Sequence, residues 1–298
     1  MAEYLLPRTL GEAGELMMAH GRSLAIIAGG TSAMRCGTCR GKRGRGIACI
    51  ECAGPRLVSV PNSAFVMDIQ HLGLDQIEAD NGLLRLGAGV SMRDLAASDL
   101  PETLRQAARR VGGPALRNLA TVGGNIFARQ PYGTVAAVLL AMDAVLVFAA
   151  PDGPQRIDLA EFYAAGGSAP GLLTHIECPH PEGKLLFLKC ARQRFGGPTV
   201  ISVALRIELA DDGTVSAVRI ALGGAGEHPL RAVAAEQLLS GKPLAAAAID
   251  AAAAAAQENC APADDPVASA WYRRRMVGVY VGRALSQAAG IDVEGAPA

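Results

Sequence analysis

Two patterns in this chain of 298 residues could do chemistry. The first is thiol-rich: Cys36-x-x-Cys39 is followed, nine residues later, by Cys49-x-x-Cys52. Each pair is set by a local turn to chelate one metal, and four thiolates suit either tetrahedral Zn²⁺ or an iron–sulfur cluster. Arg35, Arg40, Lys42, Arg43 and Arg45 lie in the same stretch, where their charge offsets that of metal-bound thiolates or meets an acidic partner. The second pattern is a pair of glycine-rich bends. The short apolar run Ser23–Ala28 ends in Gly29-Gly30-Thr31-Ser32, and roughly 90 residues on comes Thr121-Val122-Gly123-Gly124-Asn125. A glycine bend after a strand lets backbone N–H groups converge on anionic oxygens, and Thr31 and Ser32 add hydroxyl donors. One such bend is commonly only a turn. Two of them can close over the same diphosphate from different sides, although neither the Gly-x-Gly-x-x-Gly fingerprint nor a Walker lysine is present.

These residues need elements to hold them. Thr9-Leu10-Gly11-Glu12 is a capping box, and Leu10, Ala13, Leu16 and Met17 follow at helical spacing, so the opening predicts strand, helix, strand. Residues 35–56 are Gly- and Arg-rich with hardly an apolar side chain, and read as an inserted loop without a core of its own. The strand pattern resumes at Phe65–Ile69. Leu83–Leu86 predicts a strand and residues near 91–97 and 101–111 predict helices. Val135–Ala150 is too short for a bilayer span and carries Asp143, so a buried helix running into a buried strand is expected. Cys178-Pro179-His180-Pro181-Glu182-Gly183 reads as a linker. Beyond it Lys184–Ala191, Thr199–Leu209 and Val215–Leu222 predict three strands of a sheet with one buried face, with a turn at Asp211-Asp212-Gly213. Residues 244–256 and 266–288 predict helices packed on that sheet. The expected domains are residues 1–177, with the insert, and 184–288.

Composition narrows the function classes. The 28 Lys and Arg balance 28 Asp and Glu, which removes the broad basic footprint of a protein that grips nucleic acid or anionic membrane over its whole surface. Half of the residues are hydrophobic, enough for real cores in about two domains. Seven cysteines, an odd number, and an N-terminus without the features of an export signal predict a cytoplasmic chain without a disulfide framework. Cys178, Cys190 and Cys260 read as ordinary thiols, and the five histidines show neither metal spacing nor a nucleophile beside them.

The order of Tyr4-Leu5-Leu6-Pro7, Ala28-Gly29-Gly30-Thr31, Met67-Asp68-Ile69, Leu86-Gly87-Ala88, Ala120–Ile126, Ser202-Val203-Ala204 and Ala268–Arg274 resembles the FAD-binding (medium) subunit of molybdenum hydroxylases, the relatives of xanthine dehydrogenase and carbon monoxide dehydrogenase. The resemblance covers nearly the whole chain outside the insert. It implies an α+β fold: a two-subdomain FAD-binding domain of the vanillyl-alcohol-oxidase-like type, then a C-terminal antiparallel sheet with packed helices. By position it implies that Ile26, Ile27, Ala28, Gly29, Gly30, Thr31, Ser32 and Ala33 line the diphosphate turn. Thr121, Gly124, Asn125 and Phe127 would contact the diphosphate and ribityl region, and Leu173 would pack near the adenine or flavin. Lys189 would sit at the isoalloxazine edge, where a cation stabilises negative charge on the reduced ring. Two positions depart from the family pattern: Thr134 stands where an Asp is usual, and Ser32-Ala33 replaces Asp-Leu.

The resemblance further implies electron transfer with no catalytic side chain of the chain's own. FAD would receive electrons from the [2Fe-2S] clusters of a small partner subunit. They would originate at a molybdenum cofactor on a large subunit and leave for an acceptor such as NAD or a quinone. Some relatives carry an added [4Fe-4S] cluster in an inserted loop, which favours that cluster over Zn at Cys36, Cys39, Cys49 and Cys52. No nucleic acid partner and no membrane span are expected. The alternative reading, drawn from the basic cysteine loop and Thr134, is a zinc-ribbon scaffold or nucleic-acid-binding protein with a decayed flavin site.

Overall fold

The structure, a computed structural model, describes residues 3–31, 64–128, 130–193 and 197–291. Ser32, Ala33 and the four cysteines Cys36, Cys39, Cys49 and Cys52 lie outside the described residues. The chain opens with β1 (Glu3–Leu5), α1 (Leu10–His20) and β2 (Leu24–Ile27), and β3 (Phe65–Asp68) then inserts between β1 and β2 in a parallel sheet. Thr9 caps α1 by accepting from the Glu12 amide at 3.1 Å. The Glu12 carboxylate returns to the amide of Arg8 at 2.7 Å, one residue short of the usual capping-box partner. Ala13, Leu24 and Met67 close a small core beneath this sheet.

The next unit comprises β4 (Ile77–Asp80), β5 (Leu83–Gly87), α2 (Met92–Ala97), α3 (Glu102–Arg109), α4 (Pro114–Arg117), α5 (Val122–Ile126), α6 (Thr134–Ala141), β6 (Val145–Ala150), β7 (Gly153–Asp158), α7 (Leu159–Ala164) and β8 (Leu172–Pro179). Its strands form an antiparallel sheet in the order β4-β5-β8-β6-β7. The remainder is β9 (Lys184–Ala191), β10 (Thr199–Leu209), β11 (Val215–Gly223), the two-residue β12 (Leu230–Arg231), α8 (Val233–Leu239), α9 (Ala246–Glu258) and α10 (Ala270–Ala289). These last four strands are antiparallel, in the order β12-β11-β10-β9. The expected α+β architecture, two subdomains and then an antiparallel sheet with helices packed on it, is therefore present.

Two expectations need correction. Cys178 and Pro179 complete β8, paired with Leu84 and Leu83, so only residues 180–183 connect the sheets. The C-terminal sheet also has both faces covered. Val203, Leu205 and Ile207 of β10 point into one core with α8, α9 and α10, while Ala204 points into the other core with α6. All eight residues of α6 are buried, as befits a helix that is apolar all round. Small residues on both sides, Ala137 against Gly223, let it approach the sheet closely. The turn after α6 is tied to the same sheet by charge: Asp143 accepts from Arg206 (2.8 Å), Arg219 (2.9 Å) and Arg231 (3.2 Å). Aromatic packing adds to the seam, with Tyr163 stacked on His228 at 5.4 Å and its hydroxyl donating to the Ile126 carbonyl at 2.9 Å.

Candidate functional site

The two glycine bends come together. A Cβ on Gly29 would overlap the Leu119 carbonyl, so only glycine lets the bend after β2 lie against the turn that follows α4 and leads into the second bend. The first bend is held from behind by Gln70, whose Nε2 donates to the Ala28 carbonyl at 2.5 Å, and by the Ile69 amide donating to the Ile27 carbonyl at 2.9 Å. Among the described residues nothing accepts from the amides of Gly29, Gly30 or Thr31.

The second bend is a short helix, α5, in which every amide at the start has an acceptor. Val122 donates to the Val90 carbonyl and Gly123 to the Ala88 carbonyl, both at 2.9 Å. Gly124 donates to Thr121 Oγ1 at 3.1 Å, and Asn125 to the Thr121 carbonyl at 2.9 Å. Thr121 keeps its hydroxyl proton to donate. The Asn125 side chain is equally committed: its Oδ1 accepts from the amides of Val135 (2.9 Å) and Ala136 (3.0 Å), capping α6 across ten residues of sequence, and its Nδ2 donates to the Tyr132 carbonyl at 3.4 Å.

Between the bends and β9 lies a cavity of about 270 Å³. Thr31, Thr121, Gly124, Asn125 and Lys189, all expected at the site, line it, as does Thr134. Sequence reasoning did not assign Val111, Gly112, Leu116, Tyr132, Pro198 and Thr199 to the site; with Ala120, Ala128 and Gly197 they complete the wall and are brought in by packing. Lys189 Nζ donates to the Arg110 carbonyl at 2.8 Å. Burial, assisted by the Arg110 charge, pulls the Lys189 ammonium down to about 8 from its ordinary 10.5.

Other expected residues stand elsewhere. Ile26, Ile27, Ala28, Gly29 and Gly30 belong to the strand and bend beside the cavity rather than to its wall. Phe127 caps the end of α5 and meets Phe162 edge-on at 5.8 Å. Leu173 is buried in the central core, paired with Phe148 of β6, and does not reach the cavity. Cys178, Cys190 and Cys260 are buried, and burial pushes the Cys178 thiol up to about 12. Among the described residues no cluster of three or more His, Cys, Asp or Glu side chains could hold a metal ion, and no helix is long and apolar enough to cross a membrane.

The residues present fit a flavin dinucleotide. Amides on a glycine bend that have no acceptor among the described residues suit its diphosphate, a hydroxyl and an ammonium supply further donors, and apolar side chains beside the bends are left exposed. Ile26 is 40%, Leu119 53% and Phe127 43% exposed, unusual for large apolar residues placed so near one cleft.

Comparison with known proteins agrees. Residues 59–181 match the family described as the FAD binding domain in molybdopterin dehydrogenase, and residues 188–288 the CO dehydrogenase flavoprotein C-terminal domain. The glyceraldehyde dehydrogenase medium chain of Sulfolobus acidocaldarius is 26% identical over 76% of this chain and 83% of its own. The uncharacterized protein YgfM of Escherichia coli K12 is 32% identical over the same shares. A solved structure of carbon monoxide dehydrogenase from Hydrogenophaga pseudoflava, which lacks the Mo-pyranopterin moiety of the molybdenum cofactor, superimposes over 97% of both chains with a TM-score of 0.84 and 28% identity. None of these favours a zinc-ribbon scaffold or a nucleic-acid-binding protein. By its matched domains, its relatives and its fold, the chain belongs to the FAD-binding medium subunits of the molybdenum hydroxylases and is a subunit of an oxidoreductase.

Proposed function

We propose that the chain is the electron-transfer relay of a cytoplasmic complex with a molybdenum-cofactor large subunit and a [2Fe-2S] small subunit. FAD, when bound, takes electrons from the clusters of the small subunit and passes them to an acceptor such as NAD or a quinone. The chain's own residues bind and orient the dinucleotide. The amides of Gly29, Gly30 and Thr31, continued by Ser32 and Ala33, hold the diphosphate, with Ile26, Ile27 and Ala28 shaping the approach. Thr121 donates its hydroxyl from the facing bend, Gly124, Asn125 and Phe127 shape the ribityl region, and Leu173 supports the sheet behind. Lys189 supplies positive charge at the ring edge. Residues 1–177 form the FAD-binding domain and 184–288 the C-terminal domain. The single observation that carries the reading is the run of amides on the first bend with no acceptor among the described residues.

Thr134 cannot supply a carboxylate; its hydroxyl faces the Tyr132 carbonyl at 3.4 Å, so the polar contact there is neutral. We further propose that Cys36, Cys39, Cys49 and Cys52 hold a [4Fe-4S] cluster, on the strength of their paired spacing, with Zn²⁺ as the competing occupant. The test is purification with the chains that accompany it, followed by flavin and metal analysis. One FAD per chain, iron with acid-labile sulfide, and their selective loss from C36S and C39S are expected. Colourless protein alone in solution would refute the relay, and stoichiometric zinc would refute the cluster while leaving the relay standing.

A further inference from the structure

Beyond the flavin cavity lies a second, of about 380 Å³, which shares Gly112, Lys189 and Gly197 with the first. Arg109, Arg110 and Arg117 join Lys189 in its wall, and among the described residues no Asp or Glu lines it. Two of these cations have structural work. Arg109 pairs with Glu102 along α3, and Arg117 Nη1 caps that helix by donating to the carbonyls of Gly112 (2.7 Å), Arg109 (3.2 Å) and Val111 (3.4 Å). Capping satisfies carbonyls but neutralises no charge. Among the described residues no carboxylate pairs with Arg110, Arg117 or Lys189, and Lys189 is held against Arg110 by its bond to that residue's carbonyl. Like charges gathered at one concavity without a paired carboxylate are costly, and Arg110 adds to the burial that depresses the Lys189 ammonium.

We propose that this second cavity binds a phosphate group, with Arg110, Arg117 and Lys189 as its cationic partners. Three uncompensated cations match a phosphate dianion better than a single carboxylate, and the guanidinium fork presents paired donors to it. The volume exceeds what a bare phosphate needs, and leaves room for a small organic body. Thr31, on the bend assigned to the FAD diphosphate, lines the first cavity and not the second, so the proposed phosphate lies away from that diphosphate, while Lys189 borders both cavities. The natural source is either a free inorganic anion or a phosphorylated small molecule that approaches the flavin edge.

The probe is inorganic pyrophosphate, titrated calorimetrically at low ionic strength into the FAD-saturated full chain and into R110Q. Arg110 has no polar side-chain partner among the described residues to lose, and thermal melting checks that the variant folds; R117Q repeats the test at a second cation. Saturable binding is expected, weakened about tenfold in R110Q, with the flavin retained throughout. If ADP competes with pyrophosphate, the source is an organic phosphate; if it does not, the source is a free anion, and both outcomes support the site. Absence of saturable binding, equal affinity in R110Q and R117Q, or release of flavin in step with pyrophosphate binding would overturn it. A chain that never takes up FAD would defeat the flavin reading instead, and the same titration on that colourless protein would still read the second cavity.

Discussion

The two glycine bends share a sequence signature and differ in what their backbones do. At Gly29-Gly30-Thr31 the amides have no acceptor among the described residues, and glycine is needed at position 29 because another backbone presses on it. At Val122-Gly123-Gly124 the amides are all engaged, and a Cβ on Gly123 would stand 2.8 Å from the Ala88 carbonyl oxygen and 2.9 Å from the Ala88 Cβ. The first bend is built to offer backbone donors; the second is built to be rigid, and can offer an anion only side-chain donors, the Thr121 hydroxyl and the nearby Lys189 ammonium. Glycine pairs of identical appearance thus mark two different needs, an exposed row of amides and a close approach of elements.

The largest effect that would sharpen this contrast is expected from G29A. Its methyl meets the Leu119 backbone, which cannot move aside as a flexible side chain can, so the bends must part at a cost of about 3 kcal/mol. The variant should purify without FAD and melt early. Normal flavin content in G29A would show that the contact between bends is dispensable and break the comparison on its open side.

N125A comes next. It removes the acceptor of two buried amides at the start of α6, worth about 2 kcal/mol. Because α6 is clasped between both cores, the loss should appear in the flavin-free protein as a lower denaturation midpoint, and N125D, which keeps an acceptor oxygen, should recover most of it. A flavin-free N125A as stable as the parent would mean that Asn125 is held for the ligand rather than for the fold, and the second bend would no longer differ in kind from the first.

Much of this was legible in the sequence, for reasons that can be named. The capping box at Thr9, the alternation in β10 and β11 and the apolar run through α6 and β6 are local signals, and the elements lie within a few residues of where those signals put them. What stayed hidden is non-local. Nothing near Asn125 announces that its amide caps a helix ten residues away, and nothing near Gln70 announces the carbonyl of Ala28. The second covered face of the C-terminal sheet is not legible locally, because Ser202, Ala204 and Arg206 look like a solvent face, whereas small and charged residues there accommodate α6 and Asp143. Arg110 and Arg117 look like ordinary surface cations until β9 brings Lys189 alongside them.

The smallest effect expected concerns Lys189, the side-chain cation that stands in for missing backbone donors at the rigid bend. Its folded pKa of about 8 lies below the ordinary 10.5, because burial penalises the ammonium and Arg110 repels it. Between those two values the unfolded chain holds a proton that the folded chain has lost, so this group makes stability rise with pH through that window. Below pH 8 both states are protonated and the penalty of the buried cation is fully present; above pH 10.5 it is gone. K189M removes the cation, so at pH 7 the variant should be more stable than the parent by about 1 kcal/mol, a figure reduced for the cavity's access to solvent. The advantage should shrink as pH climbs from 8 to 10.5, in urea titrations of flavin-free protein at each end of that range. A difference that is constant with pH would mean that Lys189 is charged at no cost, leaving the rigid bend without the poised cation that distinguishes it from the open one.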